Sequence, residues 1–382
     1  MSKGGIDLTN IHYPGETIGL IGSSISSALL AQAAGRLGYR VASLVLEEEN
    51  AVRQFASWQT VAKTYNDQAL TYFAQRVDWV MVEVGLLANR SFQLLNELTE
   101  VALSQDLVAI TTDRLIEKAY LDSHKCLVTP YSLVTNLTDI KEAVEYIGFP
   151  CVLKASQRNV SQAHNHLILY SEDDYPQAEA KLQIGTGILE AWIPVERKVS
   201  LTVVRNLQGD TLLYPVFEVL ESGERKTKQV RYPARIPDFV DMEIKRLGLE
   251  LAQSLDVTGS ITLKLFVTST NVIYVNAASI GLGDEAVFTI GSTSLDHFEA
   301  SLRASAGLAL PDLKVKAPAA IALPMEQLNF EAVMNQYRMR TDWGFALFNP
   351  MGRDPKDIEG QVIVTGDSIQ SCERQLEITD LY

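Results

Sequence analysis

The order of apolar runs in residues 17–46 restricts the fold more than any other feature of the sequence. "TIGLIG" is a run of strand length, a serine-rich turn follows it, "SSALLAQAAGRLGY" carries a helical pattern, and "RVASLVL" is a second apolar run. Strand, helix and strand at this spacing make a β-α-β unit, whose two strands lie parallel in one sheet. A further strand, "VDWVMVEV", a helix, "SFQLLNELTEVALSQ", and a short run, "LVAI", extend the unit into an open parallel sheet ending near Thr112.

The remainder follows a different pattern. "DRLIEKAYLDSHK" reads as a helix, "LVTPYSLV" as a strand and "LTDIKEAVEYIGFP" as a helix stopped by Gly148 and Pro150. Short β runs then crowd together in "CVLKAS", "HLILYS", "TGILEAWIP", "KVSLTVVRN" and "TLLYPVFEVL", which predicts a mostly antiparallel sheet. A long helix, "DFVDMEIKRLGLELAQSLD", precedes the strands "GSITLKLFVT" and "VIYVNA", and "PDLKVKAPAA" crosses into a last segment of short strands. At 382 residues the chain is long for one core. The fold class expected is therefore α/β followed by α+β, in two or three packed units.

Composition narrows the partners. The 47 acidic and 33 basic residues give a formal charge of -14, which repels a phosphate backbone and weighs against nucleic acid. Cys126, Cys151 and Cys372 are odd in number and scattered, so no disulfide framework is expected. The start "MSKGGIDLTNIHYPGETIG" lacks an apolar signal region, and no run approaches the ~20 apolar residues that cross a bilayer. A cytoplasmic protein away from membranes is the expectation.

Few chemical motifs stand alone. His164 and His166 flank Asn165 without a third ligand, and no Ser-His-Asp order, HExxH or Walker A sequence is present. Ser23, Ser24, Ser26 and Ser27 at a helix start could hold an anion or serve as helix caps. Asp284 and Glu285 follow Gly281 and Gly283, where acidic residues are ordinary turn formers as well as conceivable metal ligands.

Several stretches together carry a resemblance: "PGETIGLIG", "DRLIEK", "GFPCVLK", "ILEAWIPVERKVSL", "YPVFEV", "LFVT", "YVN" and "HFEASLRA". With these the chain resembles the ATP-grasp carboxyaminoimidazole ribonucleotide synthetases of purine synthesis over nearly its whole length. The resemblance implies an ATP-grasp fold with a Rossmann-like pre-ATP-grasp domain and a small C-terminal β-rich domain. Its boundaries would be an N-terminal extension at 1–14, then domains at 15–113, 114–310 and 311–382, in a homodimer. It implies carboxylation of aminoimidazole ribonucleotide with ATP and bicarbonate. Lys118, Lys154 and Glu190 match nucleotide-binding positions, and Gly22, Ser23, Ser24 and Glu83 match the substrate side.

The chain also departs from that pattern. "RNVSQAH" replaces a glycine-rich lid, Lys198 stands where a ribose-contacting Glu is expected with Glu196 two positions away, and "GSSISSAL" keeps only Gly22 of the first glycine loop. The two metal-ligand positions are Lys264 and Ala277, and the C-terminal basic motif reads Pro350, Asp354, Asp357 and Ile358. No catalytic residue and no metal ligand is assigned. The expectation is a catalytically impaired relative, a binding or regulatory module with weak ATP affinity and no magnesium, whose ligand is nucleotide- or ribonucleotide-like. The alternative is an active ATP-dependent ligase making carboxyaminoimidazole ribonucleotide.

Overall fold

The computed structural model describes residues 11–83, 85–158, 166–222, 227–281, 283–349, 354 and 356–381. The first sheet is parallel throughout, in the order β3-β2-β1-β4-β5, with β1 Thr17–Ile21, β2 Arg40–Val45, β3 Trp58–Val61, β4 Trp79–Val82 and β5 Glu100–Val101. β1 is flanked on both sides, so Ile18, Leu20 and Ile21 are all buried. Helix α1, Ile25–Arg36, follows at once and is capped by Ser24, whose hydroxyl accepts from Ser27 N. Helices α2 Asp67–Ala74 and α3 Asn89–Leu98 complete the crossovers.

One sequence expectation fails here. "LVAI" is not the closing strand, which is the short β5; it lies in helix α4, Gln105–Thr112. Leu107, Val108, Thr111 and Thr112 are buried at helical spacing, and the hydroxyls of Thr111 and Thr112 donate to the carbonyls of Leu107 and Val108. An apolar run this short fits either period, so tertiary packing decides.

Helix α5, Arg114–Ser123, leads into a four-stranded antiparallel sheet ordered β6-β9-β7-β8, from β6 Tyr131–Val134, β7 Cys151–Ala155, β8 Leu167–Leu169 and β9 Gly187–Ala191. Helices α6 Leu137–Ile147 and α7 Tyr175–Leu182 pack on it through Ile140, Ala143, Ala178 and Leu182. The third sheet has nine strands. Its path runs through β15 Ile273–Ile280, β14 Gly259–Val267, β10 Arg197–Arg205, β12 Phe217–Ser222 and β13 Thr227–Tyr232, with β11 Thr211–Leu213 beside β10. "TLLYPVFEVL" is thus two strands, divided at Tyr214–Val216 around Pro215.

Helix α8, Asp238–Ser254, lies on β10, and Gly248 admits the close approach, because a Cβ there would overlap Leu201. The C-terminal strands β16 Ala319–Pro324, β17 Gly344–Phe348 and β18 Glu359–Gly366 extend the same sheet, Val230 of β13 pairing with Ala322. Short helix α9 Thr289–Ser292 and helix α10 His297–Ser305 precede them, α11 Phe330–Met339 lies between β16 and β17, and α12 Ile369–Thr379 follows β18. No helix among the described residues is long and apolar enough to cross a membrane. The α/β and α+β expectation agrees with this architecture.

Candidate functional site

A cluster of buried charge lies where α5 meets β7 and β9. Asp113 caps α5, accepting from the backbone N–H groups of Leu115 and Ile116, and so fixes the helix start against the end of β7. Arg114 N donates to Ser156 O, and Arg158 N donates to Thr112 O. Four residues along, Lys118 turns inward and is 1% exposed.

Lys118 Nζ lies 3.2 Å from Glu190 Oε2 and donates to Thr129 Oγ1 at 3.0 Å. Lys154 Nζ donates to the same Glu190 oxygen at 3.1 Å, and Thr129 Oγ1 donates to it as well. The strand pairing explains the convergence, since Glu190 of β9 stands opposite Tyr131 of β6 and Val152 of β7. Burial alone would raise the Glu190 carboxyl, but Lys154 and then Lys118 outweigh it and hold the group below its ordinary value. Burial pushes the Lys154 ammonium down, with Glu190 opposing and Lys118 adding to the fall.

A second buried pair borders the first. Glu117, 1% exposed, accepts from Arg158 through both guanidinium nitrogens and takes Ala278 N at 2.7 Å. Burial raises its carboxyl, against the charge of Arg158 and the Ala278 N–H. Ala278 belongs to β15, so Glu117 ties α5 to the edge of the large sheet. Arg114 reaches Ala155 O at 2.9 Å, and burial, with Arg158 next, lowers its pKa. Beside Lys154 a cavity of about 240 Å³ is lined by Ser156, Gln157, Lys181, Gly185 and Thr186.

The sequence analysis singled out Lys118, Lys154 and Glu190, and they form one cluster. Gly22, Ser23, Ser24 and Glu83 form another, at the end of β1. Glu83 Oε2 accepts from Ser27 Oγ at 3.0 Å and Ser24 N at 3.4 Å. Gly22 has φ +140°, and a Cβ there would stand 2.5 Å from Glu83 Oε2, so glycine is required twice over. Ser23 is half-buried in the same turn. Ser24 is a helix cap, one of its two expected roles. The neighbouring chamber, bounded by Ser27, Glu83, Ser260, Ser301 and Ser305, has about 20 Å³, room for a water and not for a ribonucleotide as it stands.

The remaining positions are dispersed. Glu196 is exposed and pairs with Arg197 at 3.5 Å, Lys198 is exposed on β10, and His166 is exposed. Asp354 and Asp357 are exposed and Ile358 is half-buried. Asn159 to His164, Pro350 and the side chains of Asp284 and Glu285 lie outside the described residues.

The two positions matched to metal ligands carry no carboxylate. Lys264 of β14 stands in register with Ala277 of β15 on one side and Ser200 of β10 on the other. Among the described residues no group of three or more His, Cys, Asp or Glu could hold a metal. Glu117 and Glu190 are engaged by cations, and an ammonium offers no lone pair. Arg114, Glu117, Thr129 and Arg158 were missed in the sequence, although Arg114 stands inside "DRLIEK" one helical turn before Lys118.

Residues 119–298 match the ATP-grasp domain. Lys154 of β7 and Glu190 of β9 lie within that domain, and Lys118 of α5 stands one residue before its start. The chain is 28% identical over 301 residues to the N5-carboxyaminoimidazole ribonucleotide synthase of Bacillus subtilis, covering 78% of each. It is 23% identical over 364 residues to that of Staphylococcus aureus strain N315, covering 95% of this chain and 96% of the other. Among solved structures, the ADP complex of a synthetase of that name superposes with a TM-score of 0.88 at 25% identity, covering 97% of this chain and 98% of that one. The chain contains an ATP-grasp domain and is homologous to the N5-carboxyaminoimidazole ribonucleotide synthetases.

Proposed function

We propose that the chain binds an adenine nucleotide between its small antiparallel lobe and its large sheet, and that it acts as an ATP-dependent ligase on aminoimidazole ribonucleotide and bicarbonate. The observation that carries this is the Lys118–Glu190–Lys154 cluster, a buried cationic centre set in a full-length likeness to an ADP complex. In this reading Lys154 is the phosphate-facing cation, because it is the more exposed of the two lysines, 23% against 2%. Glu190 and Thr129 hold Lys118 and fix its distance from Lys154. Gly22, Ser23, Ser24 and Glu83 form the acceptor side, with residues 15–113, 114–310 and 311–382 as the functional units after a short extension at 1–14. A cytoplasmic homodimer is the assembly we assign.

A second reading is favoured by one specific observation, Lys264 in register with Ala277. It makes the chain a binding or regulatory module that retains the nucleotide and has lost turnover. A single assay separates the two. Purified protein is given ATP, bicarbonate and aminoimidazole ribonucleotide, and ADP release is followed together with the carboxylated product. ADP release that needs all three substrates supports the ligase, and ATP binding without ADP release supports the module. Absence of both sinks the proposal.

A further inference from the structure

Glu117 and Arg158 repeat the arrangement of Glu190 and Lys154. In each pair a carboxylate closed to solvent holds a cation that solvent reaches: Glu190 is 4% exposed against 23% for Lys154, and Glu117 is 1% exposed against 23% for Arg158. Helix α5 supplies a member to each group through adjacent residues, Glu117 to the second and Lys118 to the first. The two accessible cations are therefore fixed relative to each other through one helix. The backbone of Arg158 is fixed as well, since its N–H donates to Thr112 O at 2.7 Å and the preceding residue, Gln157, bridges to Asp113. Glu117 also accepts from Ala278 N of β15 at 2.7 Å, which sets the guanidinium where the small lobe meets the large sheet.

A guanidinium carries N–H donors on three nitrogens in one plane. Glu117 takes one from Nη1 and one from Nη2 of Arg158, and Thr111 O takes the other from Nη1 at 3.3 Å. Nε–H and the outer Nη2–H find no acceptor among the described residues. These two point the same way along one edge of the plane, the fork that fits two oxygens of a phosphate. Arg114 stands nearby, its pKa lowered by burial and then by Arg158, against Glu190, Glu117 and Asp113. We propose that Arg158 is a phosphate-binding residue, its Nε–H and outer Nη2–H gripping the phosphate tail of the nucleotide alongside Lys154, and that Glu117 is its positioning residue. The proposal rests on the nucleotide reading above and adds the residue that recognises the tail. With the guanidinium held by Glu117 and the backbone by Thr112, little side-chain freedom is lost when the phosphate arrives.

The test is calorimetric titration of ATP and of AMP into the intact protein, for the native chain, Arg158→Gln, Arg158→Lys and the double variant Glu117→Gln with Arg158→Gln. Arg158→Gln should weaken ATP about tenfold or more, the worth of a charge-assisted hydrogen bond, and leave AMP nearly unchanged. Arg158→Lys, which keeps the charge and loses the fork, should fall between. The double variant leaves no buried carboxylate without its partner, so it carries the comparison if Arg158→Gln does not fold, as checked by circular dichroism. It should show the same selective loss of ATP affinity. Native ATP affinity in the double variant would trace the effect of Arg158→Gln to an unpaired Glu117 and overturn the proposal. Equal losses for ATP and AMP, or an unchanged ATP affinity in Arg158→Gln, overturn it too and leave the nucleotide reading standing. No binding of ATP to the native chain overturns both.

Discussion

Replacing Glu190 by Gln keeps the shape of the side chain and removes the charge that Lys118 and Lys154 share. The Lys118 side chain is 2% exposed and that of Glu190 is 4% exposed, so the remaining Lys118 ammonium is buried without a counter-ion. Breaking a buried ion pair by removing one partner costs about 3–5 kcal/mol. Lys154, 23% exposed, can turn towards water, which places most of the cost on Lys118 and favours the lower end, about 3 kcal/mol. Lys154→Met is the control. It leaves Glu190 paired with Lys118 and Thr129, so the loss should be about 1 kcal/mol, the scale of one hydrogen bond. Urea unfolding followed by far-ultraviolet circular dichroism measures both variants on one scale. If Lys154→Met destabilises as much as Glu190→Gln, or if neither does, the picture of one carboxylate holding a buried lysine in place is wrong.

Gly22→Ala should lower the melting temperature by the equivalent of about 1–3 kcal/mol, because it combines a left-handed φ with a Cβ 2.5 Å from Glu83 Oε2; a neutral result would contradict the close approach. The thiols of Cys151 and Cys372 are pushed up to about 11, first by burial, and so stay protonated at about pH 8. Iodoacetamide should leave them unmodified in the native protein, react faster as pH rises towards the thiol pKa, and label all three cysteines after denaturation. Light scattering at micromolar concentration should give a dimer, and a monomer mass would remove the assigned assembly.

The parallel unit was legible because strand and helix periods alternate cleanly between Thr17 and Val45, and each apolar run is long enough to define its period. "LVAI" was not, since its four residues suit either element and the hydroxyl bonds of Thr111 and Thr112 appear only once the helix exists. Lys118, Lys154 and Glu190 were singled out, but their mutual contact was invisible, because it depends on β9 pairing with β7 in one register. Glu117 was missed for a related reason. Adjacent charges in a helix read as a solvated face, yet Glu117 and Lys118 are both buried, each drawn to a partner distant in sequence. Lys264 was legible by type, and its register with Ala277 required the β14–β15 pairing.

The central claim, that a nucleotide lies between the small antiparallel lobe and the large sheet, is tested most directly by hydrogen–deuterium exchange of the intact protein with and without ATP. The account predicts slower exchange in α5, β7 and β9 and across the Ala278 end of the Glu117 tie, because the nucleotide would brace both sides of the cleft at once. Unchanged exchange in those segments at saturating ATP, or protection confined to the five-stranded parallel sheet, would contradict it.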